Sequence, residues 1–236
     1  MFIAVTAIIT AVVAYLIGSV NSAVILSTLV YGKDVREEGS GNPGATNMLR
    51  THGKIAALIT LIGDVLKGII AILLSLLIVF LCTRFAKEAG GESVSIFGQI
   101  IEKEQIGAIY QLMTFVAGFF AVVGHDFPIF FKFKGGKGVA TGLGVMMFLN
   151  WQVGLIVLAV SLIIMAVTRY VSVGSIAAAL LYIVVDTAYM IFTNHFTAAE
   201  LIFVVCMALL LIWRHKANIV RLKNGTENKL GQKKSA

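Results

Sequence analysis

Between two apolar stretches of membrane length lies FKFKGGKGVATGLG, Phe131 to Gly144, in which glycines alternate with lysines. Gly135, Gly136 and Gly138 surround Lys134 and Lys137, and Thr141 adds a hydroxyl three residues further on. Glycine lets backbone N–H groups turn toward an anion without steric cost, and lysine adds a full charge. The pattern predicts a phosphate cradle at the edge of the hydrocarbon. His125 closes the apolar run just before it, in GHDFPIFF, as a phosphate ligand or as an ordinary hydrogen-bonded helix-end residue. A basic juxtamembrane loop that attracts anionic lipid is the plainer alternative, but such a loop does not require glycines between its lysines.

A second polar segment, GSGNPGATNMLR from Gly39 to Arg50, follows the first apolar run. Gly39, Gly41 and Gly44 match the dinucleotide-binding spacing literally, yet no strand of a βαβ unit precedes them, so that reading fails. What remains is a tight turn presenting Ser40, Asn42, Thr46 and Asn47, then Arg50, whose planar fork of donors suits a phosphate or carboxylate. An interfacial turn with Ser40 or Thr46 capping a helix is the alternative. A third segment, TRYVSVGS from Thr168, puts Ser172 and Ser175 at the start of an apolar run. There hydroxyls can cap the helix or meet a phosphate. In the tail, His215, Asn218 and Arg221 recur every three residues and would share a face if the last helix continued. Asp64 and Lys67, three apart within an apolar run, read as an internal ion pair because lone charges there are costly.

These segments must be positioned by membrane helices. The 236 residues are 58% hydrophobic and 13% charged, against about 25% charged in a soluble domain. The first twenty residues lack a basic start and a cleavage site and read as a retained span. Cys82 and Cys206, in or beside apolar runs, read as small apolar fillers. Apolar runs fall near 2–31, 55–82, 108–124, 139–149, 151–167, 173–193 and 197–213. The fourth polar break, Asn150-Trp151-Gln152, would split 139–167 into two short helices. Grouping loops 32–54, 125–138 and 168–172 with the tail gathers 15 of the 19 lysines and arginines on one side. The positive-inside rule then requires an odd number of spans. The expectation is an all-α integral membrane protein of seven helices, N-terminus outside and C-terminus cytoplasmic. It would be one domain over 1–236 with a disordered end at 232–236. The net charge of +7 is spread over loops and tail, not gathered on a nucleic-acid face.

GSGNPGATNMLR, GHDFPIFFKFKGGKGVAT and RHKANIVRLKNGTENK resemble, in order, three signature segments of the bacterial acyl-phosphate:glycerol-3-phosphate acyltransferase family. GDVLK (Gly63 to Lys67) and TRYVSVGS are similar as well. The resemblance implies an inner-membrane enzyme, facing the cytoplasm, that moves a fatty acyl group from acyl phosphate to glycerol 3-phosphate. Lysophosphatidic acid and phosphate are the products, and neither cofactor nor metal is implied. It makes Ser40 and Arg50 important for activity and associates Gly135 to Gly138 with phosphate binding. His215, Asn218 and Glu227 match the third segment, Glu227 as a structural residue. The connection 83–107 looks long for the family.

The residues fit that chemistry. Two anionic substrates need two cationic clusters, which Arg50 and the pair Lys134 and Lys137 supply. The H-x-x-x-x-D dyad of other glycerol-phosphate acyltransferases is absent, since Ala57, Phe130, Glu200 and Val220 occupy that offset from His52, His125, His195 and His215. An acyl phosphate is already an activated anhydride, so a strong protein base is not required. Lys137 would stabilise developing charge, while His215 and Asn218 orient the acceptor. An acyl-Ser40 intermediate is the rival mechanism. A phosphate-ester transporter is the rival function, disfavoured because the polar segments gather at one membrane face instead of the midplane. A bare lipid anchor leaves the glycines unexplained, and a metal-dependent phosphatidyl-alcohol transferase would need more aspartates than the loops hold.

Overall fold

Small residues at intervals of four dominate the buried stripe of the first helix, α1 (Phe2–Gly18): Thr6, Thr10, Ala14 and Gly18. In the computed structural model, which describes residues 2–84, 87–90, 93–96 and 99–231, the chain forms two compact units, Met1–Val145 and Met146–Ala236. In the first unit α1 packs on α5 (Lys103–Asp126). A Cβ on Gly18 would run into the Ala121 carbonyl, and one on Gly124 into that of Tyr15. Hydrocarbon does not drive helices together, so close backbone approach through such residues holds the pair.

The first apolar run is not one helix. It breaks at Ser19–Asn21 and resumes as α2 (Ser22–Tyr31). The Ser19 hydroxyl turns back to donate to Tyr15 O (2.8 Å), and Asn21 Oδ1 caps α2 by accepting from Val24 N (3.0 Å). The break frees backbone groups inside the protein, which is tolerated only where side chains satisfy them. α3 (Ala45–Thr51) and α4 (Gly53–Arg84) follow. Ala23, Val24, Val35, Met48 and Ala56 form an apolar cluster under the first polar segment. The 32 residues of α4 make it about 48 Å long, well beyond the hydrocarbon thickness. Gly68 on α4 lets Thr141 O approach, and Gly144 does the same for Val65 O, seating the start of α6 (Val139–Leu149) on α4.

The connection 83–107 holds what the periodicity did not reveal, a three-stranded antiparallel meander: β1 (Lys87–Gly90), β2 (Ser93–Ile96) and β3 (Gln99–Glu102). Ile101 of β3 joins Phe2, Val79, Ile109 and Met113 in a second apolar cluster. The fold is therefore helical with one small sheet.

In the second unit α7 (Trp151–Thr168), α8 (Val171–Phe192) and α9 (Ala198–Arg214) pack in sequence, and α10 (Lys216–Lys223) bends 54° away from α9. The expected break at Asn150 is present, and its side chain caps α7 by accepting from Val153 N (3.2 Å). Arg169, with φ +64°, turns α7 into α8. Among the described residues five helical segments are long and apolar enough to cross a membrane, and six if α9 and α10 count as one. The 11 residues of α6 fall short of a full span. The chain end expected to be disordered, 232–236, lies outside the described residues.

Candidate active site

The first polar segment is built by Asn47. Its amide donates to Val35 O and Glu38 O (both 3.0 Å), and its Oδ1 accepts from Ser40 N (2.8 Å). A Cβ on Gly39, where φ is +58°, would overlap that Oδ1. Asn47 is 1% exposed, and both its amide hydrogens are committed to the backbone. It therefore shapes the loop and has no amide hydrogen left for a phosphate. The loop lifts Ser40 into an exposed position and leaves Asn42, Thr46 and Arg50 half-buried. Among the described residues these side chains make no hydrogen bond or ion pair, so their donors are available to a ligand. For Arg50 this matters most, because a half-buried guanidinium without a partner is costly.

Asp34 and Arg36, which the sequence reading passed over, join this segment to the glycine-lysine segment. Arg36 Nη2 lies 2.6 Å from Asp34 Oδ2, its Nη1 donates to Phe131 O (2.9 Å), and its plane lies 5.8 Å from the centre of the Phe131 ring. The Arg36 hydrogen bonds hold the Asp34 carboxyl below its usual range, against the opposing effect of burial. Their signal was visible as Asp-x-Arg, an N-cap acceptor two residues before its donor. Between the two segments opens a cavity of about 400 Å³ lined by Asp34, Arg36, Glu37, Gly41, Pro43, Lys132, Lys134 and Gly135. The two loops thus converge, although Ser40, Arg50 and Lys137 do not line that cavity. Lys134 is exposed and unpartnered among the described residues, while Lys137 is half-buried.

The glycines also let the loop pack closely on α5. Gly136 N donates to His125 O (3.1 Å), so that amide is spent within the protein. A Cβ on Gly135 would overlap the same carbonyl, one on Gly136 the His125 ring, and one on Gly138, at φ +71°, would lie 2.6 Å from Val122 Cγ1. These residues are glycine because the loop lies flat on the end of α5. Thr141, fully buried on α6, lies in the packing between α6 and α4. His125, 3% exposed, sits 2.7 Å from Lys67 Nζ by its Nδ1, and Lys67 in turn lies 2.9 Å from Asp64 Oδ1.

In the second unit Glu227 gathers the third set. Ser172 Oγ donates to its Oε1 (2.9 Å), Asn218 Nδ2 to the same oxygen (2.6 Å), and Arg221 Nε to Oε2 (2.6 Å). Burial would raise the Glu227 pKa, but these three donors outweigh it and the carboxyl lies below its usual value. The hydroxyl hydrogen of Ser172 is spent here, and that of Ser175 is donated to Val171 O (3.0 Å), so neither is a free phosphate donor. His215 lies at the α9–α10 bend, its Nδ1 2.8 Å from Leu211 O. A carbonyl can only accept, so the proton sits on Nδ1 and Nε2 is the other face of the ring. Arg169 and Leu230 tie the tail back, with Leu230 N donating to Arg169 O (2.7 Å).

The family profile described as glycerol-3-phosphate acyltransferase matches residues 8–225. The chain belongs to that family. It is 40% identical over 231 residues to the glycerol-3-phosphate acyltransferase of Clostridioides difficile (strain 630), covering 96% of this chain and 97% of the relative. The enzyme of Paraburkholderia phytofirmans (strain DSM 17436 / LMG 22146 / PsJN) is 41% identical over 228 residues, 97% and 92% of the two chains. Among solved structures, PlsY (YgiH), an integral membrane glycerol 3-phosphate acyltransferase, is similar in its glycerol 3-phosphate form with TM-score 0.73 and 32% identity, over 95% of this chain and 96% of that one. Its lysophosphatidic acid form gives TM-score 0.70 and 31% identity, over 95% of each chain. The protein is an integral membrane acyltransferase of this fold.

Proposed function

We propose that residues 1–236 form one membrane-embedded domain that transfers a fatty acyl group from acyl phosphate to glycerol 3-phosphate. The products are lysophosphatidic acid and inorganic phosphate, the first acylation step of phospholipid synthesis. The single observation that carries this reading is the meeting of the two polar loops of the first unit around a cavity lined by Lys132, Lys134 and the Asp34–Arg36 pair, with Lys134 in that lining and Arg50 outside it both unpaired among the described residues. Two phosphate-bearing substrates require such unpaired cations, and an acyl donor with its own phosphate leaving group requires no carrier protein.

The acceptor hydroxyl attacks the acyl carbonyl. The C–O bond to phosphate breaks as the new ester forms, and a departing phosphate oxygen takes the hydroxyl proton. Lys137 and Arg50 stabilise the charge that develops, since fixed cations in a dry site act most strongly on the transition state. Ser40 and Asn42 hold phosphate oxygens, with Thr46 beside them. His215 and Asn218 are assigned to orientation of the acceptor. The proposed topology counts α6 as a short seventh crossing. The amino terminus is then outside, and the basic loops and tail face the cytoplasm of a bacterial inner membrane.

Purified protein in detergent, given labelled glycerol 3-phosphate and acyl phosphate, should form labelled lysophosphatidic acid without a thioester donor. Uptake of the label into sealed vesicles with no lipid product would instead support a transporter and overturn the reading.

A further inference from the structure

The break between α1 and α2 turns the Val20 carbonyl inward, where Lys67 Nζ donates to it at 3.0 Å. The same ammonium faces Asp64 Oδ1 at 2.9 Å and His125 Nδ1 at 2.7 Å. The ammonium thus donates to the Val20 carbonyl, lies within hydrogen-bond reach of Nδ1 and is ion-paired to Asp64, and all three side chains are at most 5% exposed. An ammonium has no lone pair, so Nδ1 must accept, and the imidazole proton is left on Nε2. Nε2 is the ring atom that a Cβ on Gly136 would strike first. Gly136 also donates its N–H to the carbonyl of the same histidine, and the next residue is Lys137. We propose that Asp64 and Lys67 lock His125 in its Nε2–H tautomer, and that the locked ring is a positioning residue for the Gly135–Gly138 loop that carries Lys137.

This rests on the acyltransferase reading above for its kinetic consequence and on geometry alone for its tautomer. Asp64 and Lys67 then do more than neutralise each other. They present a fixed ring edge against which Gly136 packs, while Gly135 packs on the carbonyl of the same histidine. A displacement of the loop by about 1 Å would cost on the order of 10²-fold in rate.

Two substitutions separate the edges of the ring. His125→Gln puts an amide N–H near the position of Nε2, and His125→Asn puts an amide oxygen near that of Nδ1, where it can still accept from Lys67. His125→Gln should keep activity within about fivefold of wild type, whereas His125→Asn, melting at the same temperature, should lose about 10²-fold in kcat. Equal activity of the two variants would overturn the inference. Imidazole ¹⁵N shifts of the wild-type protein give a reading independent of turnover. A bare Nδ1 with a protonated Nε2 at His125 supports the lock, and a protonated Nδ1 overturns it. Should the wild type form no lysophosphatidic acid, the proposed reaction falls, and these shifts alone still decide the tautomer.

Discussion

At the residue scale the Arg50 guanidinium is half-buried and touches no acceptor among the described residues, as the proposed phosphate-binding role requires. Arg50→Ala should therefore leave the melting temperature unchanged while lowering kcat/KM by about 10²-fold, the usual cost of one transition-state donor. A parallel fall in stability would show that Arg50 is structural. The glycines offer a sharper contrast. Gly136→Ala would press a methyl group into the His125 ring and should abolish most activity, whereas Gly107→Ala, where a Cβ meets nothing within 4 Å, should be neutral or stabilise α5 by about 0.5–1 kcal/mol. Glu227 gives a pH dependence. Its folded pKa lies below the ordinary 4.5, so its stabilisation is complete above that pH and is lost as pH falls through the folded value. Glu227→Gln should melt lower than wild type at neutral pH, by about 2 kcal/mol in stability. Melting curves taken from pH 7 downward should show that gap closing below pH 4.5; a gap that persists in acid would contradict the carboxylate's role.

At the element scale the sequence disclosed more of the helices than of their interruptions. Apolar length located every long run, and Asn150 announced the α6–α7 break because a side-chain oxygen followed by an apolar run is an N-cap signal. Asn150→Ala should cost about 1 kcal/mol of stability, measurable by thermal unfolding in detergent. The break at Ser19–Asn21 carried the same signal, Asn21 ahead of an apolar run, but went unread because the apolar run on both sides is long enough to pass for one span. Local caps by Ser19 and Asn21 are joined by a tertiary one: Lys67, forty-seven residues away, satisfies the Val20 carbonyl that the break releases. The meander of β1–β3 was equally hidden in a connection whose composition suggested only a long loop. The bend at His215 showed the limit of periodicity, because three-residue spacing placed Asn218 and Arg221 on one face but not the turn that precedes them. Loop glycines were legible as necessary, but their packing role was not. They admit the end of α5, and the Gly136 amide is spent on His125 O, which only packing reveals.

At the scale of the whole molecule, membrane residence was legible from composition, and membership of the acyltransferase family from motif order. Which side chains remain available for chemistry was not, because hydrogen bonds within the protein consume Asn47, Ser172 and Ser175 without any trace in residue type. The proposed site keeps its cations by the same economy, with Asp34 tying up Arg36 while Arg50 and Lys134 meet no partner among the described residues. The central claim is that a mixed anhydride is cleaved only as its acyl group is passed to a sugar-phosphate hydroxyl. The most direct measurement is inorganic phosphate released by purified protein from acyl phosphate, with and without glycerol 3-phosphate. Phosphate should appear in equal amount to lysophosphatidic acid and only when the acceptor is present. Release at the same rate without acceptor, or lysophosphatidic acid formed with no phosphate, would contradict it.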